Sequence, residues 1–204
     1  KISRLEDQIE ELGKQRQVRR KRRIQRNIPI VSVVGYTNAG KSTLLNGLTR
    51  SEVRAEDKLF ATLRPTTRKL RYPRTREIIF TDTVGFIHQL PPDLLSAFKA
   101  TLEELDAADL ALHIVDISAP NFEERMKAVN RILRELELDE KEQLLVFNKI
   151  DQIDEEAARS LADTYNAIPI SAIDLETTTP LIEELDNRLL RQSKEGEART
   201  WARN

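Results

Sequence analysis

Cysteine is absent from the 204 residues. That excludes disulfides and thiolate metal sites, and it fits a reducing, cytoplasmic setting. Net charge of one sign is also lacking. Thirty-three Lys and Arg stand against 34 Asp and Glu, leaving −1, so overall charge selects no class of partner. No apolar run approaches the length of a membrane span, and no secretory signal pattern is visible. Internal repeats and low-complexity tracts are missing too. The first residue is Lys1 and the sole methionine is Met126, so the chain is expected to be a piece of a longer protein. Its length suffices for one domain with a real core plus an appendage.

What is present is organised around Gly35-Tyr36-Thr37-Asn38-Ala39-Gly40-Lys41-Ser42. An apolar run, Ile30 to Val34, precedes it and reads as a buried strand. Thr43-Leu44-Leu45-Asn46-Gly47-Leu48 follows and reads as a helix opening. Strand, Gly-x-x-x-x-Gly-Lys-Ser, then helix is the context of a phosphate-binding loop. Glycines let the backbone fold around an anion, with successive N–H groups pointing inward. The helix N-terminus adds its positive dipole end. Lys41 is expected at the β- and γ-phosphates, and the Ser42 hydroxyl at Mg²⁺.

Residues 1–28 are expected to form a separate helical segment. Ile2, Leu5, Ile9 and Leu12 make one apolar seam. Then come Lys14, Arg16, Arg19, Arg20, Lys21, Arg22, Arg23 and Arg26 with no acid among them. Such a run is either a solvated helix face or a contact for RNA phosphates. No aromatic is interleaved, which argues against base stacking there. From residue 29 to 191 strands and helices alternate. Strands are predicted at Lys69–Tyr72, Glu77–Thr81, Leu110–Val115, Leu144–Phe147 and Ile168–Ile170. Helices are predicted at Pro92–Leu105, Glu123–Leu136, Glu155–Tyr165 and Pro180–Leu190. The pattern specifies an α/β three-layer sandwich around a mostly parallel six-stranded sheet. Residues 192–204 read as a polar tail.

Three further motifs complete a nucleotide site. Asp82-Thr83-Val84-Gly85 follows a strand. The carboxylate can orient water on Mg²⁺, and Gly85 can offer its N–H to a γ-phosphate. Asn148-Lys149-Ile150-Asp151 also follows a strand. The Asp151 carboxylate matches the paired N–H donors of guanine, which adenine lacks. The Lys149 stem can lie along the base, and Asn148 can bridge to the phosphate loop. Ser171-Ala172-Ile173 is expected to bring a backbone N–H to the guanine oxygen. Between the phosphate loop and Asp82 lies Phe60-Ala61-Thr62-Leu63-Arg64-Pro65-Thr66-Thr67-Arg68. One of its threonines is expected to close over the metal and the γ-phosphate, and spacing alone does not choose among the three.

Together these motifs resemble the HflX family of translational GTPases, in the larger group with Obg, Era and TrmE. The likeness is carried by residues 35–42, Leu59 to Leu63, Pro65 to Arg68, Asp82 to Ile87 and Leu90-Pro91. Ala97-Phe98-Lys99-Ala100-Thr101-Leu102-Glu103-Glu104 and Asn148 to Asp151 continue it. It implies GTP and GDP as ligands with Mg²⁺ held by Ser42, Thr62 and Asp82. It makes Thr62 the closing threonine, because that residue stands in the family's Phe-Ala-Thr-Leu motif. It implies a monomer whose partner is the large ribosomal subunit and its rRNA, and a role in splitting stalled ribosomes. Arg64 departs from the family's usual Asp at that position, exchanging an acid for a base.

The residue after Gly85 is Phe86, where Ras-like enzymes place a water-orienting glutamine. Intrinsic turnover is therefore expected to be low. Lys41, Thr62 and Gly85 are the expected catalytic groups, joined by Asn38. Asn38 matches the residue that coordinates K⁺ in TrmE-like relatives, though it also reads as an ordinary turn asparagine. The ribosome is the other expected activator. Arg64 and Arg68 are candidate cations acting in cis. His88 reads as a solvated loop residue and His113 as structural. Rival readings are a GTP-dependent RNA-binding scaffold with little turnover and an RNA-maturation GTPase of the TrmE or Era kind.

Overall fold

A computed structural model of the chain describes residues 28–49, 66–71, 77–82, 105–135 and 137–189. The expected basic helix, the helix at Pro92–Leu105 save its last residue, and the polar tail lie outside these residues. Six strands form one sheet: β1 (Ile30–Gly35), β2 (Thr66–Arg71), β3 (Glu77–Asp82), β4 (Leu110–Asp116), β5 (Gln143–Asn148) and β6 (Ile168–Pro169). Their order is β2-β3-β1-β4-β5-β6. Only β2 runs antiparallel to its neighbour, with Thr66 opposite Asp82 and Arg71 opposite Glu77. The other pairs are parallel, as expected.

Among the described residues, the two faces are covered by α1 (Lys41–Thr49), α2 (Phe122–Glu135), α3 (Glu155–Tyr165) and α4 (residues 179–189). The alternation of side chains along each strand sorts them. Val31 and Val33 of β1, Leu112 and Ile114 of β4, and Leu144 and Val146 of β5 meet Leu44 and Leu45 of α1. Leu181 and Leu185 of α4 join the same cluster. On the opposite face Val34 and Ala111 pack with Val129, Ile132 and Leu133 of α2. Val115 and Phe147 pack there with Ala158 and Ala162 of α3. Each fully buried aliphatic side chain contributes about 1.5–3 kcal/mol, so this period-two pattern fixes the register. Phe122, Phe147 and Tyr165 meet edge to face, with centroids 5.6–6.1 Å apart. The α3 start is capped by Asp154, whose carboxylate accepts from the Glu156 and Ala157 N–H groups, a cap worth about 1 kcal/mol.

Two boundaries differ from expectation by more than one residue. α1 begins at Lys41, two residues early, because the loop backbone turns helical as soon as it leaves Gly40. β2 begins at Thr66, three residues early. Its first half is polar, with Arg68 buried in a stretch that reads as loop.

The fold decides where chemistry can occur. β3 and β4 flank β1 on opposite sides, so the chain reverses its direction of winding there. Ligands of open α/β sheets bind at the carboxyl ends of the strands beside such a reversal. Gly35, Asp82, Asp116 and Asn148 all stand at that edge, each ending its strand.

Candidate nucleotide-binding site

The phosphate loop leaves β1 at Gly35 and enters α1 at Lys41. Two positions there admit only glycine. At Gly35 (φ +151°) a Cβ would lie 2.3 Å from the Ile114 carbonyl oxygen of β4. At Gly40 (φ +89°) it would lie 2.1 Å from Asn148 Nδ2. Asn38 lies between them in the left-handed region at φ 62° and is exposed, a conformation asparagine tolerates better than most residues.

Lys41 is buried and folds back on the loop. Its Nζ donates to the carbonyls of Gly35 at 3.1 Å and Tyr36 at 2.8 Å. Burial pushes its ammonium down from 10.5 to about 8, while the Asp82 carboxylate pulls the other way. An ammonium held in this state gains from the arrival of an anion. Next along α1, the Ser42 hydroxyl donates to Asp82 Oδ2 at 3.0 Å. A hydroxyl and a buried carboxylate held together offer hard oxygen ligands. That donor set fits Mg²⁺, which takes one or two protein oxygens and fills the rest of its octahedron with water and phosphate.

The other half of the site lies at the ends of β5 and β6. Asn148 is 1% exposed and bonds in two directions. Its Nδ2 donates to the Ala39 carbonyl at 2.8 Å, and its Oδ1 accepts from the Ala172 N–H at 2.8 Å. One amide thus ties the phosphate loop to the Ser171-Ala172 loop, the bridge expected from sequence, and the Ala172 N–H is committed to it. Lys149 follows at φ 67°. A short 3-10 turn, Ile150–Gln152, then carries Asp151 outward. Asp151 Oδ1 accepts from the Ser171 hydroxyl at 2.5 Å, which holds the exposed carboxylate in one orientation. The Thr177 hydroxyl braces Ser171, accepting from its N–H at 2.8 Å. Ile173, 76% exposed, places apolar surface at the rim.

Some site residues were not found from sequence. Asp116 pairs with Lys149, Nζ to Oδ2 at 2.8 Å. Its other oxygen accepts from the Ser118 N–H and hydroxyl. Asp116 ends its strand just as Asp82 does, so position at a strand end was the available signal. Arg68, considered above as a cation acting in cis, is buried and donates to Asn46 Oδ1 at 2.5 Å, so it braces β2 against α1. Thr66 and Thr67 belong to β2. Thr62, with Phe60, Ala61, Leu63 and Arg64, lies outside the described residues. So do Thr83, Val84, Gly85, Phe86 and His88. His113 is 2% exposed, and burial first and the Lys41 charge second push it down to about 4. It is therefore a neutral residue of the core below the loop, as expected. Among the described residues no helix is long and apolar enough to cross a membrane.

A family model described as a 50S ribosome-binding GTPase matches residues 30–149. The chain is 46% identical to GTPase HflX of Caldanaerobacter subterraneus subsp. tengcongensis over 194 residues, covering 95% of this chain and 44% of that protein. It is 45% identical to GTPase HflX of Escherichia coli over 166 residues, covering 81% and 39%. The chain thus spans less than half the length of these relatives. Among solved structures, Era in complex with MgGDPNP and nucleotides 1506–1542 of 16S ribosomal RNA aligns with a TM-score of 0.62 at 28% identity. That alignment covers 79% of this chain and 56% of the Era chain.

Proposed function

The chain belongs to the HflX family of GTPases, and on that premise we propose that it binds GTP and GDP with Mg²⁺ and hydrolyses GTP as a regulatory switch. The observation that carries this reading is Asn148. Its two hydrogen bonds hold a phosphate-side cluster of Lys41, Ser42 and Asp82 at a set position from a base-side pair of Asp151 and Ser171. Residues 29–191 form the GTP-binding domain in this reading, with residues 1–28 a helical linker and 192–204 a polar tail.

The roles follow from chemistry. The Asp151 carboxylate accepts from the guanine edge, and Ser171 keeps it aimed. Lys149, anchored by Asp116, lays its stem along the ring, and Ile173 offers a second apolar surface. Loop N–H groups and Lys41 receive the β- and γ-phosphates. Ser42 and Asp82, with Thr62, would hold Mg²⁺, which when bound would neutralise charge on the phosphate oxygens. Thr62 and Gly85 are the γ-phosphate contacts whose release after hydrolysis resets the switch. Phe86 cannot orient water, so basal turnover is slow. Asn38 would hold a K⁺ ion in this reading, which would supply charge that other GTPases obtain from arginine. The partner is the large ribosomal subunit with its rRNA, met in the cytoplasm by a monomer, and the outcome is splitting of stalled ribosomes. The family model's description and the cations between Lys14 and Arg26 support that partner.

Two measurements test the reading. Phosphate release is followed in K⁺ against Na⁺, with and without large subunits. Co-sedimentation with large subunits is compared between GTP- and GDP-loaded protein. Equal binding in both states sinks the switch, and turnover that no condition raises favours the RNA-binding scaffold instead.

A further inference from the structure

The phosphate loop is held from two sides, and only one of them belongs to the motifs. On the inner side Asn148 grips the Ala39 carbonyl at 2.8 Å, and the Gly40 carbonyl accepts the Leu44 N–H at 2.9 Å as α1 begins. The outer side starts at Tyr36, the first residue beyond β1. Its half-buried ring meets α2, where the Arg125 guanidinium carbon lies 5.1 Å from the ring centroid. That is inside the range in which a cation is attracted by the ring face. Arg125 shares a helix face with Val129, one turn on, and Val129 is buried against the sheet. Between loop and helix lies a small pocket lined by Tyr36, Thr37, His113, Arg125, Met126 and Val129, among others. The ring borders this space, so the Arg125 contact over its face bears on where Tyr36 sits.

Tyr36 is also where Lys41 rests. Its carbonyl accepts the shorter of the two bonds from Nζ, 2.8 Å against 3.1 Å to Gly35. We propose that Arg125 is a positioning residue for phosphate binding: its guanidinium over the Tyr36 ring fixes the entry of the phosphate loop, and with it the carbonyl that holds Lys41. The contact joins α2 to the loop, so anything that shifts α2 alters how long the nucleotide stays. The proposal rests on the reading of this loop as a guanine-nucleotide site.

The test is dissociation of a fluorescent GDP analogue from the 204-residue chain by stopped flow. Arg125→Met keeps the apolar stem and removes the cation. It is expected to speed release about two- to fivefold, the range of a partly exposed cation–ring contact. Arg125→Lys keeps a cation and is expected to stay within about twofold of the parent. Tyr36→Leu is expected to match Arg125→Met, and the double variant to be no faster than either single one, because both remove the same contact. Each single variant is expected to lower the nucleotide-free thermal midpoint by no more than about 4 °C, the drop that about 1 kcal/mol gives in a domain of this size. Unchanged release in Arg125→Met overturns the proposal. So do multiplicative effects in the double variant, or a faster release that comes only with a midpoint drop larger than that. A parent chain that binds no guanine nucleotide at all defeats the underlying reading, and the proposal with it.

Discussion

Replacing Asn148 by alanine removes one side chain and strands two buried backbone groups. The Ala39 carbonyl loses its bond from Nδ2, and the Ala172 N–H loses its bond to Oδ1, both 2.8 Å long. Ala39 is 1% exposed and Ala172 7%, so bulk water does not reach either group freely. An unsatisfied buried polar group costs about 1–3 kcal/mol. The variant should therefore lose about 2–6 kcal/mol, with a water drawn into the gap moving the value toward the lower end. Against a total stability of about 5–15 kcal/mol for a domain, that is a large share. Urea unfolding at 25 °C, followed by circular dichroism, measures it directly.

Gly40 supplies an internal control. A Cβ there would sit 2.1 Å from Asn148 Nδ2, at a backbone φ of +89°. Gly40→Ala in the parent thus suffers both a clash and left-handed strain. In the Asn148→Ala background the clash disappears and the strain alone remains, about 1–2 kcal/mol. The two substitutions should therefore be strongly non-additive. A loss below about 1 kcal/mol for Asn148→Ala would refute the reasoning. So would an equal cost for Gly40→Ala in both backgrounds.

Most of the sheet is legible in the sequence because it is built from parallel strands buried on both faces. Val31 to Val34, Leu110 to Val115 and Leu144 to Phe147 are near-continuous apolar runs, and only strands of that kind need them. The edge strand β2 is harder. Its pairing with β3 begins at Thr66, inside a stretch whose threonines and Arg68 read as loop. Arg68 is buried with Asn46 of α1 as a hydrogen-bond partner, a fact of tertiary structure. The same division holds at the site. Asn148, Asp151, Lys41 and Ser42 announce themselves through short motifs with fixed spacing. Asp116 does not, since its link to Lys149 arises from the register that sets Asp116 opposite Asn148 across β4 and β5. Arg125 is further still from view. Its partner Tyr36 is nearly ninety positions away, and only the placement of α2 beside the end of β1 joins them.

Further outcomes are expected at three residues. Asp151→Asn exchanges two acceptors for an acceptor and a donor, which match the N1–H and O2 of xanthine, so binding should shift from GTP toward xanthosine triphosphate in competition assays. Unchanged GTP affinity would make the guanine assignment wrong. His113 stays neutral in the fold until about pH 4 but titrates near 6.5 when unfolded, so its contribution to stability is lost as pH falls through that window. His113→Leu should flatten the acid limb of unfolding free energy between pH 7 and 4.5 by about 2–3 kcal/mol. Lys41 has the opposite charge problem. Its ammonium is destabilised by burial and titrates near 8 in the fold against 10.5 unfolded. The unfolded chain therefore binds more protons between these values, and stability should rise with pH there, by about 3 kcal/mol relative to Lys41→Met. Nucleotide phosphates reverse the balance, because a nearby anion favours the charged ammonium. Binding of GDP at pH 8.5 should thus take up protons. Calorimetry in two buffers of different ionisation enthalpy reads that uptake as a difference in apparent binding enthalpy, and Lys41→Arg, which stays charged throughout, should abolish it. Equal enthalpies in both buffers for the parent would mean that Lys41 is already fully charged in the empty loop, and that its two carbonyl partners and Asp82 outweigh its burial.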